Sequence, residues 1–247
     1  MPGLWGNCAL IEYHPLGPLV RRWSAFADLS PDDCSALLNL PHMRKTYPKE
    51  GYLVREGQEA VDCALLLSGY AFRQKILRDG RRQIISIHIP TEFVDLQNSV
   101  IGVADHSVQS LNHCEAAIIP RRALIELHEK RPAIRMAMWI ETLIDAAIFR
   151  EWVVNVGRRT SKARVAHLLC ELATRLEKIG GGQDGEFEFP LTQEQLADAT
   201  GMTPVHTNRT LQALRKAGLI QLTGRSLKIL DWPGLREVGD FDEMYLH

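Results

Sequence analysis

Between Leu191 and Leu230 two helix starts stand back to back, and a short hairpin follows them. The first start reads Leu191-Thr192-Gln193-Glu194-Gln195-Leu196. Thr192 can cap the first free backbone N–H groups, and Gln195, three residues on, can reach back to the cap residue's own N–H. Leu191 and Leu196 hold the two positions of a hydrophobic staple, which sets the angle of chain entry. This helix is predicted to run to about Ala199 and to stop at Thr200-Gly201. The second begins at once, with Thr203 as cap and Pro204 at the first helical position, where its missing N–H costs nothing. It is predicted to end near Ala217, where Gly218 can take the left-handed cap conformation. Leu219 to Leu222, a turn at Thr223-Gly224-Arg225, and Ser226 to Leu230 read as a β-hairpin. Two short helices joined by a tight turn, with a wing behind, make an architecture that lays a helix in the DNA major groove.

The second helix has two faces. At 3.6 residues per turn Thr207, Thr210, Leu211 and Leu214 share one side, which can pack on the first helix. Val205, Asn208, Arg209, Gln212 and Lys216 share the other. From Gly201 to Leu230 the chain carries Arg209, Arg215, Lys216, Arg225 and Lys228, and no Asp or Glu. That local excess suits a polyanion, although the whole chain has a formal net charge of −1.

At 247 residues the chain is long enough for two domains with their own cores. Hydrophobic content of 45% is ordinary for a soluble globular protein. The first residues show no signal-peptide pattern, and no stretch reaches the length of a membrane span, so a cytoplasmic protein is expected. Cys8, Cys34, Cys63, Cys114 and Cys170 are odd in number and far apart, which points to reduced, buried thiols rather than disulfides. None falls in a Cys-x-x-Cys pair, so no metal site is expected. No nucleophile–base–acid set and no phosphate-cradling loop stands out, so an enzyme is not expected. Gly180-Gly181-Gly182 follows a helix and has no Lys-Ser/Thr behind it; it reads as a linker.

The first half is punctuated like a β-protein. After a helical run from about Leu19 to Leu40, apolar segments alternate with turns: Gly51–Val54, Cys63–Leu67, Gly69–Leu77, Gln83–Ile89, Ser107–Leu111 and Glu115–Ile119. Such spacing predicts a β-roll or jelly roll. In Gln83–Ile89 the alternation predicts Ile85, Ile87 and Ile89 on one face, apart from Gln83, Ser86 and His88. From Pro132 to about Val156 there is no Gly and no internal Pro. Ala137, Ile140, Ile144, Ala147, Glu151 and Val154 recur at three- and four-residue steps, the seam of a two-stranded coiled coil. Met136, Trp139, Leu143, Ile148, Phe149 and Trp152 lie on other faces, so both the helix's own domain and a second copy are expected to cover it. Gly157 is expected to break this helix as a hinge. The fold class is therefore α+β. The expected spans are an arm at 1–22, a sensor β-roll at 23–131, a dimer helix at 132–156, a winged helix-turn-helix at 157–231 and an acidic tail at 232–247.

A β-roll, a long dimer helix, a hinge and a C-terminal winged helix-turn-helix resemble the Crp/Fnr family of bacterial transcription regulators. The likeness is strongest in Leu191–Leu222, where Leu-Thr-Gln-Glu-Gln-Leu-Ala, Gly-Met-Thr-Pro, Asn-Arg-Thr-Leu and Gly-Leu-Ile look like the family's DNA-binding signature. The resemblance implies a homodimer on a palindromic operator, with RNA polymerase as a partner and a signal sensed by the β-roll. The family's guanine-reading arginine falls on Arg209, whose guanidinium can bond both O6 and N7 of guanine. Its usual glutamate falls on Val205, which can touch a thymine methyl but cannot accept from cytosine; Asn208 could pair with adenine. Thr192, Thr203 and His206 fall on positions that contact phosphate, and Arg225 of the wing joins them.

The sensing half departs from the best-known members. Cyclic-nucleotide binders hold the ribose and cyclic phosphate with a Gly-Glu and a downstream Arg-Ser pair. Here the matching stretch is Glu92-Phe93-Val94-Asp95-Leu96-Gln97-Asn98-Ser99 and the later pair is His106-Ser107; Asp95 would place a negative charge near the phosphate, and no arginine is present to neutralise one. Asp95, Leu96, His106 and Ser107 are the expected effector-pocket residues, for an effector the sequence does not name. An iron–sulfur cluster lacks its four thiolates, since Cys8 alone precedes the first helix. Haem, for which Pro2, His88, His106 and His113 are the candidates, is argued against because such histidines are usually solvated or hydrogen-bonded. The competing reading is a haem- or small-ligand-binding sensor whose DNA contact is vestigial.

Overall fold

The structure is a computed structural model, and it describes residues 13–182 and 185–247. Cys8 and Pro2 lie outside the described residues, as do Gln183 and Asp184, which follow the expected linker. The chain divides into two units: one holds residues up to 71 with 88–143, and the other 72–87 with 144–247.

The first unit opens with α1 (Gly17–Phe26) and α2 (Pro31–Leu38) in place of one continuous helical run. Ser30 separates them. Its hydroxyl accepts from the Asp33 N–H at 3.1 Å, and Asp33 answers by accepting from the Ser30 N–H at 3.1 Å, a reciprocal cap that forces a new helix to start. Three strands then form an antiparallel sheet in the order β1 (Met43–Tyr47), β7 (Cys114–Pro120) and β3 (Asp62–Ser68). β2 (Tyr52–Val54) pairs antiparallel with β6 (Ser107–Ser110). β1 carries Arg44 and Lys45 and has no apolar alternation, which is why the sequence alone did not single it out. A short helix, α3 (Asn98–Ile101), and α4 (Arg121–Lys130) complete this unit with the start of α5 (Pro132–Arg158).

Its larger core gathers Leu16, Leu19, Val20 and Trp23 around Leu65, Phe93, Ile119 and Ile134. Leu16, Leu19 and Val20 thus belong to the core although they fall within the expected arm. Cys63 and Cys114 are buried thiols, and burial pushes Cys114 up to about 11.

The second unit contains the hairpin of β4 (Ala71–Ile76) and β5 (Arg82–His88), closed by Leu77 N–H to the Arg81 carbonyl at 2.8 Å. Within this unit two of the hairpin's residues are also bonded to the helices that follow. Arg73 pairs with Asp145 at 2.9 Å, and the β5 carbonyl of Ile87 accepts from Arg175 at 2.7 Å. The expected alternation in β5 is corrected. Ile84, Ser86 and His88 are buried together with Ile87 and Ile89, whereas Ile85 is only half-buried, because both faces of the strand are covered.

Two expectations for α5 are also corrected. The helix passes through Gly157 and ends at Arg158. A glycine in the last turn costs only about 1 kcal/mol relative to alanine, which a helix of 27 residues absorbs. What stops it is Thr160, whose extended backbone and hydroxyl cap α6 (Ser161–Lys178) through the Ala163 N–H. The expected seam, moreover, faces largely inward: Ala137, Ile144 and Ala147 are buried by the helix's own chain. The apolar row left in solvent sits one residue earlier, with Met136, Trp139, Leu143 and Val153 exposed by 51%, 62%, 53% and 68%.

The rest of the second unit is α7 (Gln193–Thr200), α8 (Pro204–Lys216), α9 (Trp232–Gly239) and a three-stranded sheet. In that sheet β10 (Ser226–Ile229) lies between β8 (Glu186–Glu188) and β9 (Ile220–Thr223). The acidic tail is built into the fold: α9 and a 3₁₀ turn at Glu243–Leu246 bury Leu235, Phe241 and Leu246. Among the described residues no helix is long and apolar enough to cross a membrane.

Candidate nucleic-acid interface

The interface is built on two capped helices. Thr192 accepts from the Gln195 N–H at 3.1 Å while its own N–H donates to the Gln195 side chain at 2.9 Å, a complete capping box. Leu191 and Leu196 are both buried, as a staple requires. α7 ends on Gly201, whose φ of 63° is a left-handed conformation that a β-carbon would strain. The carbonyl of Thr200, left free by the helix end, accepts from Arg164 of α6 at 3.0 Å. Thr203 then accepts from the His206 N–H at 3.3 Å and opens α8, with Pro204 in its first turn.

The two faces of α8 fall where the sequence predicts. Thr207, Thr210, Leu211 and Leu214 are buried, and both threonine hydroxyls donate to carbonyls one turn back at 3.0 Å. Val205, Arg209, Gln212 and Lys216 are exposed, Asn208 partly so. No Asp or Glu lies between Gly201 and Leu230, so α8 and the hairpin behind it carry cations and no carboxylate of their own. Thr192, Thr203, His206 and Arg225 are exposed as well; Arg225 sits in the two-residue turn between β9 and β10, beside Gly224 with φ of 61°. That turn is shorter than the expected Thr223-Gly224-Arg225, because Thr223 pairs with Ser226.

Two residues join this surface that the sequence did not single out. Lys162, with Ser161 at the start of α6, lines the same cleft of about 410 Å³ as Thr203, Val205, His206 and Arg209. The signal in the sequence is the group of cations Arg158, Arg159 and Lys162 that follows Gly157. Gln193 accepts from the Asn208 side-chain amide at 2.9 Å. Fifteen residues separate the two, and no local pattern announces such a pair.

The expected effector residues are engaged in holding the first unit together. Asp95 accepts from the Ala64 N–H at 2.9 Å, and Leu96 is part of the core. His106 Nδ1 lies 2.6 Å from Asp105, and the Ser107 hydroxyl accepts from the Glu56 N–H at 3.0 Å. Of the haem candidates within the described residues, His88 and His106 are buried and His113 is exposed. Among the described residues no group of three or more His, Cys, Asp or Glu is arranged to hold a metal ion.

Comparison with known proteins agrees with both halves. Residues 44–131 match the cyclic nucleotide-binding domain family, and 163–238 match the Crp-like helix-turn-helix domain. The transcriptional activator protein FnrL of Cereibacter sphaeroides is 26% identical over 228 residues, covering 90% of each chain. The transcriptional activatory protein AadR of Rhodopseudomonas palustris is 26% identical over 212 residues, covering 86% of this chain and 87% of its own. The structure of FixK2 from Bradyrhizobium japonicum shares the fold, with a TM-score of 0.75 at 22% identity over 81% of this chain and 98% of that one. FnrL and AadR are named as transcriptional activators, which does not favour the reading of a sensor with vestigial DNA contact. With its two domains matched in this order and regulators aligned along most of its length, the chain belongs to the Crp/Fnr family of DNA-binding transcription regulators.

Proposed function

We propose that this regulator binds a palindromic operator as a homodimer formed along α5, reads the major groove with α8, and acts with RNA polymerase in the cytoplasm. Arg209 reads a guanine, Asn208 an adenine and Val205 a thymine methyl; Thr192, Thr203, His206 and Arg225 set the register on phosphates. The observation that carries the reading is the exposed face of α8, cationic and free of carboxylates, standing on a buried and doubly capped base. The exposed apolar row of α5 supports the dimer, since a Trp and three aliphatic or thioether side chains in solvent are what a second copy would cover. A two-fold pair of such helices suits half-sites centred one helical turn apart. The signal acts through the first unit.

The test is retention of duplex DNA from a random-sequence pool by the purified full chain, followed by a salt titration on the selected duplex. An inverted repeat should emerge, and affinity should fall by about 10³ or more between 50 and 200 mM salt if six or more phosphates are neutralised. Recovery of no repeat, or an affinity indifferent to salt, would refute the proposal.

A further inference from the structure

The hydrogen bond between Asn208 and Gln193 ties the exposed face of the recognition helix to the first residue of the helix before it. Both ends are rigidly placed. Gln193 stands directly after the capping box formed by Thr192 and Gln195, so its backbone is fixed where α7 begins. Asn208 follows Thr207, which is fully buried and bonded to the Thr203 carbonyl at 3.0 Å. Between these anchors the side-chain oxygen of Gln193 takes one of the two N–H groups of the Asn208 amide at 2.9 Å. An asparagine amide offers two donors and one acceptor oxygen. With one donor engaged, one N–H and the oxygen remain for a base. That edge complements adenine, whose N7 accepts and whose N6 donates in the major groove. An untethered asparagine can also rotate by half a turn about its last bond and present the edge in reverse, or swing away to water. A fixed amide gives up less rotational freedom on binding, which is how pre-organisation sharpens recognition.

We infer that Gln193 is a positioning residue for base recognition: by holding the Asn208 amide in one orientation it makes this regulator prefer adenine at one position of each half-site. The inference rests on the proposed reading in which Asn208 faces the bases. Gln193 itself touches no base in this scheme. Its own amide hydrogens stay free to donate to a phosphate oxygen beside Thr192, which is exposed at the same helix start.

The experiment is selection from a random duplex pool with the full chain, followed by competition between duplexes that differ at single positions. It is run for wild type, Asn208→Ala, Gln193→Ala, Gln193→Glu and the double alanine variant. Gln193 is exposed, and each variant's thermal midpoint is measured so that loss of fold is not read as loss of preference. Wild type should favour adenine at one position, and Asn208→Ala should abolish that preference. Gln193→Ala should weaken the same preference by roughly threefold to tenfold, the range of one ordinary hydrogen bond, and leave the other positions unchanged. Gln193→Glu keeps an acceptor oxygen, so it should restore the preference while lowering affinity for every sequence, because its charge lies near phosphates. The double variant should be no less selective than Asn208→Ala alone. A Gln193→Ala effect spread equally over all sequences, or a preference not rescued by glutamate, overturns the positioning role while leaving the base reading intact. An Asn208→Ala variant that keeps the full wild-type preference overturns the reading of Asn208 and the inference with it.

Discussion

Tyr245 donates its phenol O–H to Glu171 at 2.9 Å, which anchors the last turn of the chain to the middle of α6. Glu171 is fully buried, and it also accepts from Trp152 of α5 at 3.1 and 3.2 Å and from Arg175 at 3.0 Å. One carboxylate therefore holds α5, α6 and the tail together. A buried carboxylate is tolerable only while its partners remain, because stripping water from a charge costs several kcal/mol. Tyr245→Phe removes one of several donors and is expected to destabilise the C-terminal unit by about 1–2 kcal/mol. Glu171→Ala removes the carboxylate that accepts from the buried Arg175 guanidinium and is expected to cost about 3–5 kcal/mol. Urea unfolding followed by tryptophan fluorescence measures both, and Trp152 reports on the site directly. Equal costs for the two variants would contradict this account.

The same cluster makes stability depend on pH. His167 lies with Nδ1 3.1 Å from the Gly239 carbonyl and Nε2 3.0 Å from the Tyr245 hydroxyl. Burial, and after it the Arg159 guanidinium, lowers its pKa from the ordinary value of 6.5. Below that value the unfolded chain takes up a proton that the folded chain resists. Stability therefore falls as the pH drops through about 6.5 toward the lowered folded value. The paired carboxylates Asp33 and Glu115, whose pKa values are also lowered, act only in a window that begins below about 4.5. Glu141, whose pKa burial raises, acts in the opposite sense as the pH falls toward about 4.5. The His167 contribution is therefore read as the difference between wild type and His167→Gln, whose urea midpoint should fall less steeply between about pH 7 and 5. An unchanged slope in the variant would assign the decline elsewhere.

How much of this could be read beforehand depends on the range of the interaction. The caps at Thr192 and Thr203, the stop at Gly201 and the two faces of α8 are local, set by residues within a few positions of one another, and they stand where the sequence puts them. The apolar segments set between turns in the first half were legible as strands too, although the alternation expected in β5 was not observed. β1, with two cations facing out, was not, and neither was β8, a three-residue strand recruited by β10. What failed was arithmetic that needs the partner's position. A helix with apolar residues on several sides admits more than one seam, and only packing decides which one its own domain consumes. The tail was unreadable for the same reason: Tyr245 finds its carboxylate 74 residues away.

Capping at Thr192 can be tested apart from DNA. Thr192→Ala removes the hydroxyl that accepts from Gln195 and is expected to cost about 1 kcal/mol of stability, whereas Thr192→Ser should cost little. Thermal unfolding without DNA measures it. A loss of duplex affinity in the alanine variant larger than its stability loss accounts for marks a direct phosphate contact.

The shift of the α5 seam gives a pair of substitutions with opposite outcomes. Trp139 belongs to the exposed row, so Trp139→Glu should leave helix content unchanged and raise the dimer dissociation constant by roughly thirtyfold or more. Ile144 belongs to the seam expected from sequence but is 5% exposed and faces its own chain. Ile144→Glu should unfold the protein rather than separate subunits, since it buries an unpaired charge. Sedimentation velocity with circular dichroism separates the two outcomes. Dissociation without unfolding by Ile144→Glu, together with a silent Trp139→Glu, would return the interface to the seam the heptads suggested.

Arg209 carries the sharpest test of the DNA interface. It is exposed on α8 with no carboxylate nearby in sequence to compete for its guanidinium. Two parallel bonds to guanine O6 and N7 need the planar fork of arginine, which lysine lacks. Arg209→Ala should lose about 1–3 kcal/mol on the selected operator and relax preference at one guanine per half-site, with little change at other positions. Arg209→Lys should keep most of the non-specific affinity and the salt dependence, because the charge remains, yet lose much of the guanine preference. Arg225→Ala provides the contrast: a phosphate contact in the wing turn should weaken all sequences alike and reduce the salt slope by about one. Competition assays on matched duplexes at fixed salt distinguish these patterns. If Arg209→Ala and Arg225→Ala weaken every duplex in the same proportion, Arg209 is a phosphate ligand and base reading lies elsewhere on α8.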